Sequence, residues 1–396
     1  MEPSVGLRSE AAASLGAARD EYLLVGGGLQ NALVALALLE RRPDARLTVI
    51  EREPSLGGNH TWCFHAHDVP GAARSWLDAL VVKRWPAHDV LFPNHRRRLD
   101  DEYNAVTSAQ LHRVVSERLR SAPGARLVNA SVRDVAENAV TLEDGTELQA
   151  ELVIDARGPG QGAQGDAGGY QKFIGLELAV AKGSAPELPI LMDATVAQLD
   201  GFRFMYVLPW ADDRVLVEDT YYSTSPHLDR AALTERIVDY ALRHGMRIER
   251  VLREESGVLP IPTRHAPPPA PSGAMRAGYG GGLFHPTTGY SLPVALRFAL
   301  YVASRPAAGA RADYARWLAE HHRQQRFCVR LNRLLFDAFA PEQRHHVLER
   351  FYRLPVETIR RFYALETTAT DRARILCGRP PSGFSLRRLI AGGQHS

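Results

Sequence analysis

The chain has 396 residues, 45% of them hydrophobic and 23% charged, with a formal net charge of +3. That length calls for two associated domains rather than one small core, and the charge is too small to indicate nucleic acid. Cys63, Cys328 and Cys377 stand alone without CxxC spacing, which argues against a zinc site or disulfide framework and fits a reducing, cytoplasmic compartment.

Residues 1–20 carry mixed charges and no apolar core, and read as a disordered tail rather than a signal peptide. The next stretch, EYLLVGGGLQN, organises the rest of the chain. Tyr22 to Val25 reads as a strand, Gly26, Gly27 and Gly28 as a tight turn, and Leu29 to Leu39 as a helix. A helix that starts on a glycine turn offers free backbone N–H groups and its positive dipole end to a pyrophosphate. Gly26 and Gly28 match the first two positions of the dinucleotide fingerprint, while Asn31 stands where the third glycine would be. The helix breaks at Pro43. A second strand, Arg46 to Ile50, ends in Glu51, where an acid would accept from ribose hydroxyls. This unit alone does not choose between NAD and FAD.

Gly57 to His65, GGNHTWCFH, reads as a loop approaching a ligand, with Gly58 giving close access. His65 and His67 have no carboxylate or cysteine at ligand spacing, so no metal is expected. Residues 89–99 read as an edge strand or hairpin, because Pro93 argues against a central strand. Thr107 to Leu119 is a helix capped by Thr107 or Ser108. Short strands come next at Arg126–Ala130 and Ala139–Leu142, with a turn at Asp144-Gly145. Leu152 to Asp155 is an apolar strand ending in Asp155-Ala156-Arg157-Gly158, which returns the chain to the cofactor. That split arrangement belongs to hydroxylase-type flavoproteins and favours FAD.

Four stretches, 171–180, 188–196, 202–210 and 214–222, read as strands of an antiparallel sheet. Leu228 to His244 is an amphipathic helix, and 266–272 a proline-rich loop. His285 to Tyr290, including Gly289, introduces a second glycine-led helix start, which in such flavoproteins faces the flavin. The remainder is helical, with Arg and aromatic residues sharing amphipathic faces. These faces either cover the chain's own apolar surface or rest on anionic lipid.

The fold class is therefore α/β: a Rossmann-type FAD-binding domain of the hydroxylase-like flavoprotein class, with an inserted antiparallel β-rich substrate domain and a C-terminal helical region. The expected boundaries are 21–165 with 275–305 for FAD binding, 166–274 for substrate and 306–396 for the helical region. No activated nucleophile appears: there is no GxSxG and no Cys–His pairing. What remains is Glu218-Asp219 at the end of an apolar strand, near Phe202, Phe204, Tyr206, Trp210, Tyr221 and Tyr222. Only one of two successive strand side chains can face a given pocket. A carboxyl there would be kept protonated by desolvation and act as an acid, and aromatic faces would stabilise a cation.

Several long blocks resemble those of the bacterial lycopene beta-cyclases: VGGGLQNAL (25–33), GGNHTW (57–62), IDARG (154–158), QKFIGLEL (171–178), DGFRFMYVLP (200–209), LVEDTYY (216–222), GLFHPTTGYSLP (282–293) and RLNRLLF (330–336). The resemblance implies cyclisation of the ends of lycopene to beta-ionone rings, giving gamma-carotene and then beta-carotene without net redox change. It also implies reduced FAD as cofactor, NADPH as reductant and Glu218 as the essential acid, with Asp219 as its orienter or structural partner. Lycopene would come from the membrane, so a membrane surface, and other carotenoid-pathway enzymes, are the expected partners. An FAD- and NADPH-dependent monooxygenase acting on an apolar substrate shares the fold reading, and a non-catalytic carotenoid- or lipid-binding module is the alternative of another class.

Overall fold

The computed structural model describes residues 21–158, 167–265 and 273–392. The expectations for residues 1–20 and 266–272 fall outside them.

The strand Glu21–Val25 lies at the centre of a five-stranded parallel sheet. Arg46–Glu51 and then Ala125–Asn129 lie on one side, Leu152–Asp155 and then Met275–Arg276 on the other. Both faces are covered, which is why these strands read as continuous apolar runs. The helices Leu29–Arg41, Ser108–Ser121 and Leu292–Ala303 contribute to the core on one face. On the other, Leu23, Val25, Ile50 and Val153 pack against Val140 and Leu142 of a three-stranded antiparallel sheet. The helix Leu29–Arg41 is buried continuously from Leu29 to Leu38, because two layers enclose it. Thr107 caps Ser108–Ser121, its side chain accepting from the Gln110 N–H at 3.3 Å.

The second large element is a seven-stranded sheet. Tyr170–Val180 lies between Ile248–Pro260 and Arg214–Ser223, and the order continues through Phe202–Ala211 and Ile190–Asp193 to the hairpin His88–Phe92 and His95–Leu99. Pro93 sits in that hairpin's turn. The hairpin therefore extends the larger sheet, through parallel pairing of His88–Phe92 with Ile190–Asp193, although its sequence lies within the 21–165 stretch. One face of the sheet is sealed by the helix Arg230–Arg243, through Ile174, Leu176, Val215, Val217 and Ile237 among others. The opposite face turns toward the parallel-sheet half.

Among the differences from the sequence reading, two bear on the site. Thr61–His65, read as loop, is a strand paired with Tyr103–Thr107. Its ladder comes from a distant segment, which local composition does not reveal. Ile248–Pro260, which no pattern marked, is a 13-residue strand on the edge of the large sheet. The C-terminal region consists of the 32-residue helix Ala307–Ala338 and the shorter helices His345–Phe351, Val356–Tyr363, Ala369–Leu376 and Leu386–Gly392.

Candidate active site

A single cavity of about 940 Å³ runs from the glycine turn to the inner face of the seven-stranded sheet. Its first part is a cradle. Gly26 and Gly28 line it together with Leu29 and Gln30 of the adjoining helix. Gly28 precedes that helix without a capping side chain, so the first-turn N–H groups have no side-chain cap, and a Cβ on Gly28 would meet nothing within 4 Å. Gly26 has φ +90°, and a Cβ there would lie 2.9 Å from the Ala156 carbonyl oxygen, so only glycine lets the turn approach the returning strand this closely. Glu51 closes the far side, and its carboxylate accepts from the Gly27 N–H at 2.6 Å. Gly58, Gly158, Gly289 and Tyr290 also line the cavity. Free N–H groups at a helix start, open space over Gly28 and an acid at the end of the second strand fit a dinucleotide such as FAD.

Other expected site residues stand behind this wall. Gly27 packs under Leu56, whose Cδ2 would lie 2.3 Å from an added Cβ. Asn31 is buried, and its amide donates to the carbonyls of Val25 at 3.0 Å and Gly26 at 2.9 Å. Its amide nitrogen ties the glycine turn to its strand. Asp155 pairs with Arg157, at 2.9 Å from both Nε and Nη2.

Deeper in the cavity, Glu218 projects from Arg214–Ser223 among Phe204, Tyr206 and Tyr222. Phe202 packs behind them, 5.1 Å from Phe204 between ring centroids. Trp210 instead packs at a tilt against Trp85, and Tyr221 turns to the opposite face. Asp219 also faces away from the cavity, as the alternation of a strand dictates. Its carboxylate is fully buried, with Arg203 Nε at 2.7 Å, Arg203 Nη2 at 3.1 Å and the Tyr221 hydroxyl at 2.9 Å. Asp219 is thus a structural partner within the sheet and does not orient Glu218 directly.

Burial pushes the Glu218 carboxyl well above the usual carboxylate range. The neighbouring charge of Glu255 and a hydrogen bond with its carboxyl push in the same direction, while Arg253 opposes them. Glu255 comes from the edge strand Ile248–Pro260 and was not anticipated. Only the pairing register brings it here, since Gly175 faces Glu218 on one side and Glu255 on the other.

At the cavity's edge, His65 and His67 meet a carboxylate after all. Asp101 lies 3.5 Å from His65 Nδ1 and 3.0 Å from His67 Nδ1. Arg360 Nε donates to the same carboxylate at 3.2 Å and already supplies it with a cation. Tyr290 donates to Asp68 at 2.5 Å and accepts from the His65 N–H, fixing the glycine-led helix start against the cavity. His285, within the same HPTTG segment, accepts at Nδ1 from the N–H groups of Thr287 and Thr288 at 3.2 and 3.3 Å.

A parallel sheet with a glycine turn, opening into one cavity with an antiparallel sheet, is the fold of the monooxygenase- and halogenase-like flavoproteins. The chain superposes on a geranylgeranyl bacteriochlorophyll reductase-like protein from Thermoplasma acidophilum with a TM-score of 0.60, at 13% identity, over 95% of this chain and 96% of that one. A probable FAD-dependent monooxygenase from Pseudomonas aeruginosa gives 0.57, at 16% identity, over 83% and 98%. Within that class, the chain belongs to the lycopene cyclase family, whose model, Lycopene cyclase protein, matches residues 21–389. It is 43% identical to the lycopene beta-cyclase of Pseudescherichia vulneris over 91% of this chain and 94% of that one. Identity to the lycopene beta-cyclase of Pantoea ananas is 40%, over 91% and 95%.

Proposed function

We propose that this chain is a lycopene beta-cyclase, closing the acyclic ends of lycopene to beta-ionone rings by acid-initiated carbocation chemistry. The observation that carries the proposal is the single cavity joining the dinucleotide cradle to a half-buried, aromatic-walled Glu218. Gly26, Gly28, Glu51, Gly158 and the helix starts at Leu29 and Leu292 would hold FAD. The reduced form, generated with NADPH, would supply a fixed negative charge beside the developing cation.

Glu218 performs the first step. Its proton adds to C2 of the lycopene end group and leaves positive charge at C1. The faces of Phe204, Tyr206 and Tyr222 stabilise that charge, and the apolar walls exclude water that would capture it. The C5=C6 double bond attacks C1 and closes the ring, and loss of the C6 proton gives the beta ring.

Glu218→Gln removes the transferable proton while preserving shape. It is expected to retain FAD and to lower beta-carotene formation by about 10²-fold or more. Pigment analysis in a lycopene-accumulating host reads this directly, and wild-type turnover in the variant would reject the assignment. Cyclisation leaves mass unchanged, so an oxygen atom added to the product would replace this reading with a monooxygenase. Lycopene would be drawn from a membrane surface that the protein touches peripherally.

A further inference from the structure

We propose that Glu218 and Glu255 act as one carboxyl pair that holds a single proton, gives it to the substrate and takes one back. The proposal rests on the cyclase reading above and adds the acid–base partner.

The geometry begins with Gly175. In its register it sits between Glu218 on one neighbouring strand and Glu255 on the other. Strands two apart are separated by roughly 9–10 Å, so the two side chains meet only by leaning across the strand between them. Glycine permits this. A Cβ at position 175 would lie 2.8 Å from Glu218 Cγ and 3.2 Å from Glu255 Cγ. Both carboxyl-bearing residues line the same cavity.

The surroundings decide which member carries the proton. Glu255 Oε2 accepts from Arg253 Nη1 at 2.6 Å and from the Thr61 hydroxyl at 3.2 Å. Arg253 is itself fixed by Glu177 at 3.1 Å, Asn59 at 2.8 Å and Thr61 at 3.0 Å. Two donors converge on one Glu255 oxygen, the arrangement a carboxylate acceptor takes. A hydrogen bond between two carboxyls requires a proton on one of them, and Glu218, with neither donor, carries it. Like carboxylates this close do not both ionise readily.

The reaction needs such a pair. The Glu218 O–H bond breaks as a C2–H bond forms, leaving C1 cationic. The C5=C6 electrons form the C6–C1 bond and shift the charge to C5. The C6–H electrons then restore the C5=C6 double bond, and that proton passes to a carboxylate oxygen of the pair. C2 and C6 are both bonded to C1, so donor and acceptor positions lie only two bonds apart. The pair ends with the one proton it began with, and no external acid or base is consumed.

The other ionisable groups around Glu218 are Cys63 and Tyr206, with Tyr103 and His60 close by. Burial pushes Cys63 up to about 12 and both phenols well above their ordinary range, and it lowers His60. Burial thus disfavours the charged form of all four, and the remaining charged neighbour, Arg253, is held by Glu177 and Glu255.

The test uses the FAD-loaded enzyme and two readouts. Glu255→Gln removes the charge that keeps Glu218 protonated, so the alkaline limb of the pH–rate profile for beta-carotene formation should move acidward by on the order of one pH unit or more. Glu255→Asp should keep the limb near its wild-type position. Without substrate, the infrared carbonyl band of a protonated carboxyl should disappear in Glu218→Gln and titrate at lower pH in Glu255→Gln than in wild type. An unmoved limb and an unmoved band in Glu255→Gln would overturn the pair. Wild-type enzyme that fails to cyclise lycopene would sink the cyclase reading, while the infrared titration would still decide the pair.

Discussion

At the scale of single residues, Glu218 and Asp219 differ in everything but chemistry. They are adjacent, yet the strand turns one into the cavity and the other into the packed face behind it. Glu218 has no Arg salt bridge of its own and is raised by burial, whereas Asp219 is held by a bidentate Arg203. Asp219→Asn would leave the buried Arg203 without its counter-charge. Breaking such a pair costs about 3–5 kcal/mol, so thermal unfolding should shift down strongly. The fraction that remains folded should retain Glu218 chemistry within a few-fold. A variant of normal stability that cannot cyclise lycopene would place Asp219 in the chemistry instead.

At the scale of elements, legibility tracked burial pattern. Tyr22–Val25, Leu152–Asp155 and Phe202–Ala211 are buried and apolar, and each reads directly as a strand. Ile248–Pro260 does not. Glu249, Arg250, Arg253, Glu254 and Glu255 interrupt any alternation, because an edge strand with a largely exposed surface has little apolar pattern to display. Glu255 was hidden for the same reason, since its partnership with Glu218 arises from register across Gly175 and not from spacing in the chain. Asn31 reads differently. It occupies a fingerprint position, and its amide nitrogen donates to backbone carbonyls of the turn.

The short helix Ala369–Leu376 shows how the C-terminal region is held. Thr368 and Asp371 form a reciprocal capping box, with Thr368 N–H donating to Asp371 at 3.0 Å and Asp371 N–H donating to the Thr368 hydroxyl at 3.2 Å. Hydrogen bonds from Arg361 hold the buried Asp371 carboxyl below its ordinary range. A depressed carboxylate stabilises above its unfolded value, near pH 4, and that contribution is lost as the pH falls below it. Asp371→Asn should therefore cost about 1–2 kcal/mol at pH 7, allowing for the partial exposure of Arg361. The gap in melting temperature from wild type should begin to narrow as the pH falls below about 4 and keep narrowing toward the depressed folded-state value. A gap independent of pH would show that the charge is not what matters.

At the scale of the whole molecule, the proposed uptake of lycopene from a bilayer calls for a surface that can rest on one. Among the described residues no helix is long and apolar enough to cross a membrane. The C-terminal end does present apolar side chains to solvent: Leu386 and Ile390 are each 60% exposed, and Leu376 54%. Arg374, Arg379, Arg387 and Arg388 are exposed among them. Apolar side chains flanked by guanidinium groups suit an anionic bilayer surface, where each Arg contributes roughly 1 kcal/mol at low ionic strength. The short helix Leu386–Gly392 would dip its apolar side into the headgroup boundary while Ala307–Ala338, against which it packs, stays with the core. The protein should therefore float with vesicles containing anionic lipid, and less so in high salt. Leu386→Glu combined with Ile390→Glu should reduce flotation while leaving the melting temperature unchanged, because neither side chain is buried. Absence of flotation with both neutral and anionic vesicles would reject this surface as the membrane contact, and undiminished flotation of the double variant would move the contact elsewhere on the molecule.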